Sequence, residues 1–245
     1  ASKIVLLDDS FSTLVFAIEE WRVIYQNLKK TILSSITSNG WELFAILISL
    51  AIKAFTNIPI AISAVQILAI DLIWEMWPLT ALTRDPAQKK LMKNPPRKKE
   101  NHILNKKNII DLVRSWALMG ILAYGAYYLY LTIFHWSPTT ITTNDSIYMT
   151  ATSITYTTIV FCQYANIISR RASEKQHIFS KYFRSNKKLL RSFVFGIIAI
   201  IILIYSPINN YLWFWPMSLN ARLFPIWWWL TFLTIREVYK YYKSM

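Results

Sequence analysis

The sequence predicts an all-α membrane protein: a bundle of six transmembrane helices, led by a cytoplasmic helical stalk. Three observations carry this. Of 245 residues, 54% are hydrophobic, with 11 Trp, 14 Tyr and 13 Phe, a composition common in multi-span membrane proteins and unusual for a soluble domain of that length. Apolar runs recur that are about 20 residues long, the length a bilayer crossing needs. Basic residues gather in blocks between those runs, as loop charges do in membrane proteins.

The chain opens "ASKIVLLDDSFSTLV". Ile4 to Leu7 reads as a buried strand ended by Asp8 and Asp9, already in progress, as in a fragment or split product of something longer. From Phe11 the period becomes helical. Phe11, Leu14, Val15, Ile18, Trp21, Tyr25, Leu28 and Ile32 form one apolar face, with Glu19, Glu20, Arg22, Gln26, Lys29 and Lys30 mostly opposite. No Pro or Gly interrupts the run before Gly40. One long helix is expected, a stalk in water that runs on into the bilayer, unbroken between Arg22 and Ser34.

Six spans are expected at 34–55, 60–82, 109–134, 147–169, 190–208 and 220–239. "TNIPI" between the first two is short enough to be a hairpin. The segment "KNPPRKKENHILNKK" should be extended at Pro95 and Pro96, because each Pro lacks a donor and restricts the residue before it. Loop 83–108 carries nine Lys and Arg, and loop 170–189 carries seven. Connections 135–146 and 206–219 carry none. The positive-inside rule makes the two basic loops cytoplasmic, and six spans then put both termini in the cytoplasm. The expected location is a cell membrane, crossed several times.

The net charge of +14 raises nucleic acid as a partner, but its division into loop blocks argues against that and for the lipid bilayer. Cys162 is the single cysteine, which excludes an intrachain disulfide or a CxxC motif. His102, His135 and His177 lie too far apart for ligand spacing.

Of 13 carboxylates, three fall inside expected spans away from their ends: Glu42, Asp71 and Glu75. An unpaired charge at mid-bilayer costs at least a few kcal/mol, so such residues usually face a polar cavity or ion path. A neutral carboxyl hydrogen-bonded to a neighbouring helix is the bland alternative. Asn39 and Glu42 are three apart and share a helix face with Ser38 nearby; Asp71 and Glu75 are four apart; Gln163 and Asn166 are three apart. Three helices thus offer oxygen-bearing side chains, the ligand type of Na⁺, K⁺ and Ca²⁺. Pro78 has no N–H, so a helix break is expected there that frees the Trp74 carbonyl. Broken backbone at membrane depth survives where protein or a wet cavity satisfies it, and freed carbonyls beside carboxylates hold ions in transporters. A simple kink is the alternative.

These residues resemble the C-terminal part of the type II P-type cation-pumping ATPases, the group of the calcium pumps and the sodium–potassium pump. "KIVLLDDSFSTLVFAIEEWRVIYQNLKK" is similar to the end of the phosphorylation domain and the stalk, which divides the chain at 1–33 and 34–245. "SSITSNGWE" and "QILAIDLIWEMWPLTAL" resemble the fifth and sixth membrane helices. "DPAQKKLMKNPPR" resembles the loop that follows, and "IVFCQYANIISRR" the eighth helix. The resemblance implies that Asn39, Glu42, Asp71 and Glu75 are cation ligands. Ser38, Gln163 and Asn166 match supporting or additional ligands. The chain departs from the pattern at Glu75, where the family has Asp, and at Trp74, where it usually has Thr.

No "DKTGT", the motif of the phosphorylated Asp, occurs in the chain. The resemblance therefore implies that this chain alone does not hydrolyse ATP. ATP and Mg²⁺ would act only through the rest of the pump: the actuator, nucleotide-binding and phosphorylation domains and the first four membrane helices. The expected function is the cation-binding and translocating membrane part of an ATP-driven pump. A split-pump subunit, or a non-enzymatic six-helix cation channel or relic, is the rival.

Overall fold

The computed structural model describes residues 10–56, 58–88, 91–93, 95–96, 102–134, 145–172, 182–212 and 214–244. The expected strand at residues 4–7 lies outside them. Six long helical segments are present: α1 (Phe11–Thr56), α2 (Ala64–Thr83), α3 (Lys106–Ile133), α4 (Ser146–Arg171), α5 (Lys187–Tyr205) and α6 (Leu223–Ser244). Among the described residues there is no strand. Four helices, α1, α2, α3 and α5, are long and apolar enough to cross a membrane. Outward-facing side chains such as Leu47, Leu68, Ile121, Ile198 and Ile201 remain half exposed, an apolar exterior suited to lipid.

The 46 residues of α1 make a rod about 69 Å long, over twice the hydrocarbon thickness of a bilayer. It has no break between Arg22 and Ser34. Its first part is scarcely covered, with Phe11, Phe16 and Trp21 all exposed. Burial begins at Asn27 and continues through Trp41 and Ala45.

Two glycines set the approach of α1 to α3. A Cβ on Gly40 would fall within the Trp116 indole, and one on Gly120 would meet the Phe44 ring. Each helix thus offers a glycine one turn from the aromatic ring it inserts into the other. The Trp116 indole N–H donates to the Ile36 carbonyl at 3.1 Å, tying the ring to α1.

The described residues between α1 and α2 are held by the rest of the bundle. Tyr127 of α3 donates to the Pro59 carbonyl and Tyr148 of α4 to the Ile60 carbonyl, both at 3.0 Å. Ser63 caps α2 reciprocally with Gln66.

Helix α4 forms the centre of the bundle. Twenty of its 26 residues are buried. Many carry hydroxyls, and the helix itself satisfies them: Thr155, Thr157 and Thr158 each donate to the carbonyl four residues back at 2.8 Å. A helix wrapped by protein can be polar in this way without presenting its hydroxyls to lipid.

The basic loop after α2 contains a short 3₁₀ turn at Leu91–Lys93, and Pro95 and Pro96 lie outside any helix, as their chemistry requires.

Candidate cation site

Helix α2 is not interrupted at Pro78, and this corrects the break expected there. It departs from α geometry earlier, in a π-helical stretch at Ile70–Glu75, and returns to α geometry at Met76–Thr83. The wider π turn adds a residue to the ladder and re-aims the side chains around it; such turns are frequent at functional sites. Pro78 sits buried in the α segment just beyond. Asp71, Trp74 and Glu75 all lie inside the π stretch.

Within the π stretch, Trp74 faces α4 and the two carboxylates face α1. Trp74 is fully buried, and its indole N–H donates to the Tyr156 hydroxyl of α4. Asp71 and Glu75 turn towards α1. There Glu42, itself buried, completes a cluster in which one carboxylate oxygen from each residue lies within 4.8 Å of the others. Glu42 Oε1, Asp71 Oδ1 and Glu75 Oε2 are buried and have no hydrogen-bond partner among the described residues.

Full charges at that separation repel by about 3 kcal/mol per pair at an effective dielectric of 20. The cluster contains no basic residue to offset this. A triangle with sides of at most 4.8 Å has its centre no more than about 2.8 Å from each corner, against the 2.3–2.6 Å of Ca²⁺–oxygen contacts. The donor set is all oxygen, as hard cations prefer. Unpartnered oxygens, spacing and ligand chemistry all fit a cation carried as cargo.

The remaining sequence-derived residues divide between two cavities that flank Glu75. Asn39, Asp71 and Glu75 line an open one with Thr31 and Ser35 of α1 and Thr80 of α2. Asn39 is exposed on that side. Ser38, Gln163, Asn166 and Glu75 line a narrow one with Ser34 and Trp74. Gln163 donates to the Ser38 hydroxyl, leaving its own carbonyl oxygen buried and unpartnered. Asn166 is differently placed. Its side-chain oxygen accepts from Arg170 Nε at 3.0 Å, and the same guanidinium reaches the Thr37 hydroxyl at 3.0 Å and Asp111 at 2.8 Å.

Sequence reasoning had no role for Arg170, which reads as one more basic residue at the end of a span. Its one available signal is the spacing of four from Asn166, which puts both on one helical face. Tyr156 was likewise invisible, since its partner lies 82 residues away.

Residues 59–242 match the family model described as "Cation transporting ATPase, C-terminus". The chain belongs to that family. It is 39% identical over 127 residues to calcium-transporting ATPase 2, endoplasmic reticulum-type, of Arabidopsis thaliana, covering 52% of this chain and 11% of that protein. It is 34% identical over 134 residues to the sodium/potassium-transporting ATPase subunit alpha-2 of Rattus norvegicus and of Homo sapiens, covering 54% of this chain and 12% of theirs. The chain therefore spans about a tenth of the length of these relatives. It carries the C-terminal membrane region of the P-type cation pumps.

Proposed function

We propose that this chain binds the transported cation of a P-type pump between α1 and α2, with Glu42, Asp71 and Glu75 as its charged ligands and Asn39 beside them. The observation that carries the proposal is the cluster of three carboxylates, each with a buried unpartnered oxygen. Ser38 and Gln163 extend the polar path towards α4. Asn166 contributes less directly, since Arg170 holds its oxygen. The transported ion is Na⁺, K⁺ or Ca²⁺.

Six spans are proposed, with both termini cytoplasmic. Helices α4 and α6 join the four apolar ones; α4 can be polar because the bundle encloses it. The membrane is a cell membrane. Phosphorylation by ATP with Mg²⁺ takes place in the other domains of the pump. The first part of α1 is the stalk that carries their movements to Glu42, on the same unbroken rod. A rigid helix suits this, because displacement at one end arrives at the other.

In the pump that contains this chain, Asp71→Asn is expected to weaken the apparent cation affinity of phosphorylation about tenfold or more, as loss of a charged ligand should. Lys188→Gln, at an exposed position, should leave it unchanged. Unaltered cation dependence in Asp71→Asn, Glu42→Gln and Glu75→Gln alike would overturn the assignment.

A further inference from the structure

A third polar cavity opens where α1, α3, α4 and α6 meet. It encloses about 460 Å³. Six cationic side chains line it: Lys29 and Lys30 of α1, Lys107 of α3, Arg170 of α4, and Arg236 and Lys240 of α6. Asp111 is the one carboxylate in the lining. It pairs with both Arg170 and Arg236 at 2.8 Å, so two guanidinium groups share a single negative charge. Lys240 is held by Glu237 at 2.7 Å and Lys30 by Asp85 at 3.2 Å, both from the margins. Positive charge remains in excess after every one of these pairs is counted.

Arg236 is the strongest sign that the cavity is built to receive something. Its side chain is over nine-tenths buried. One terminal nitrogen donates to Asp111 and Ser115, while its Nε is buried with no hydrogen-bond partner among the described residues. A buried guanidinium that is both charge-excess and under-bonded is costly unless an acceptor reaches it. The N-terminus of α3 adds to the same field: Asn105, Lys107 and Asn108 line the cavity, so the positive end of a 28-residue helix points there. Burial also holds the Lys30 ammonium below the ordinary lysine range, with Asp85 opposing.

We infer that this cavity is a binding site for a multiply charged phosphate group. A singly charged carboxylate would leave most of the excess unbalanced, whereas a phosphate monoester carries about −1.5 to −2 charges and three acceptor oxygens. Guanidinium forks together with a helix N-terminus are the usual protein surroundings of phosphate. Two sources share that chemistry: the headgroup of a phosphoinositide in the adjoining leaflet, and a soluble phosphate compound. The inference does not depend on the cation site.

The test is equilibrium binding to the full chain in phosphatidylcholine nanodiscs. One arm adds phosphatidylinositol bisphosphate, a second adds phosphatidylserine to equal charge, and a third leaves the lipid neutral and adds inorganic phosphate or inositol trisphosphate to the buffer. Tighter binding of the bisphosphate lipid than of phosphatidylserine supports the site with a headgroup as occupant. Binding of the soluble anions at neutral lipid supports it with a soluble occupant. In either case Arg236→Gln and Lys240→Gln should weaken binding about tenfold, as loss of one charge-assisted contact does. Arg84→Gln and Arg191→Gln, on a separate basic groove between α2 and α5, should not. Arg236→Gln leaves Asp111 paired with Arg170, so the core stays charge-balanced. If that variant does not fold, Lys107→Glu at the exposed rim gives the same reading. Binding no tighter than to phosphatidylserine together with no soluble binding overturns the inference, as does binding that none of Arg236→Gln, Lys240→Gln and Lys107→Glu weakens.

Discussion

Two carboxylate sites stand along helix α2, one in its middle and one just past its C-terminus, and they are treated in opposite ways. Beyond its C-terminus, Asp85 is wholly enclosed and fully bonded. Its oxygens accept from Arg171 at 2.7 Å, Tyr182 at 2.6 Å, Asn186 at 3.1 Å and Lys30 at 3.2 Å, while Asn27 donates to its backbone carbonyl at 2.7 Å. Arg171 also lies over the Tyr182 ring and donates to the Phe183 carbonyl. Within α2, Asp71 and Glu75 meet Glu42 with no basic residue in the cluster and an open oxygen on each. A carboxylate whose partners are all protein groups is structural. A carboxylate cluster with an unpartnered oxygen on each member is what the proposed cation site requires.

The difference follows from what each place must do. Asp85 joins four elements: the stalk portion of α1, the end of α2, the end of α4 and the start of α5. Fixed partners lock them together. As the proposed cation site, the α2 cluster would have to release its ion as well as bind it, and a tethered Lys or Arg there would compete permanently with the cargo.

The largest effect that would test this contrast is Asp85→Ala. It leaves Arg171 and Lys30 buried beside each other without their shared carboxylate. Breaking a buried pair by removing one partner costs about 3–5 kcal/mol. The unfolding free energy of the detergent-solubilised chain should fall by that amount. A loss under about 1 kcal/mol, the range of a surface pair, would mean that Asp85 is no more structural than the α2 cluster, and the contrast would fail.

A smaller effect is expected where structure and site share one helix. Gly40 lies between Asn39 and Trp41 on α1, and any side chain there strikes the Trp116 ring. Overpacking of this sort costs about 1–3 kcal/mol. Gly40→Ala should therefore lower stability and, by pushing α1 away from α3, also disturb the setting of Glu42. Pairing it with Trp116→Leu should restore much of both. Lost stability with unchanged cation affinity would show that the site tolerates displacement of α1, which weakens the case for a rigid stalk.

How much of this was readable beforehand differs between the two groups for a physical reason. The α2 cluster was visible because charge inside an apolar run stands out, and because spacings of three and four put residues on one helical face. The family resemblance named the same residues. Asp85 carried no such signal. It sits in a polar loop where carboxylates are ordinary, and its partners lie 55 to 101 residues away in sequence. The same distance hid the Gly40–Trp116 contact. Pro78 was legible as a missing donor, but nothing in the sequence marks the widening of the ladder at Ile70–Glu75 before it. Arg170 was legible as a charge but not as the group that holds the Asn166 oxygen.

The smallest expected effect on stability belongs to Asp71→Asn, and its sign is what matters. Removing a carboxylate normally risks orphaning its partner, as at Asp85. Asp71 has no cationic partner, and its neighbours Glu42 and Glu75 are themselves acidic. Neutralising it removes repulsion and leaves the shape nearly unchanged. In the absence of transported cation the variant should be as stable as the parent or up to about 1 kcal/mol more stable, since repulsion between full charges at this spacing is about 3 kcal/mol per pair and relaxation recovers only part of it. The order should invert when cation is added. A ligand at one hundred times its dissociation constant stabilises the folded form by about 2.7 kcal/mol, and the parent should gain this while Asp71→Asn gains much less. Melting curves of both proteins with and without Na⁺, K⁺ or Ca²⁺ would show the crossing. A variant already less stable than the parent in cation-free buffer would mean that Asp71 has a stabilising partner within the protein. The two groups of carboxylates would then be alike, and the reading of the α2 cluster as a cation site would lose its physical basis.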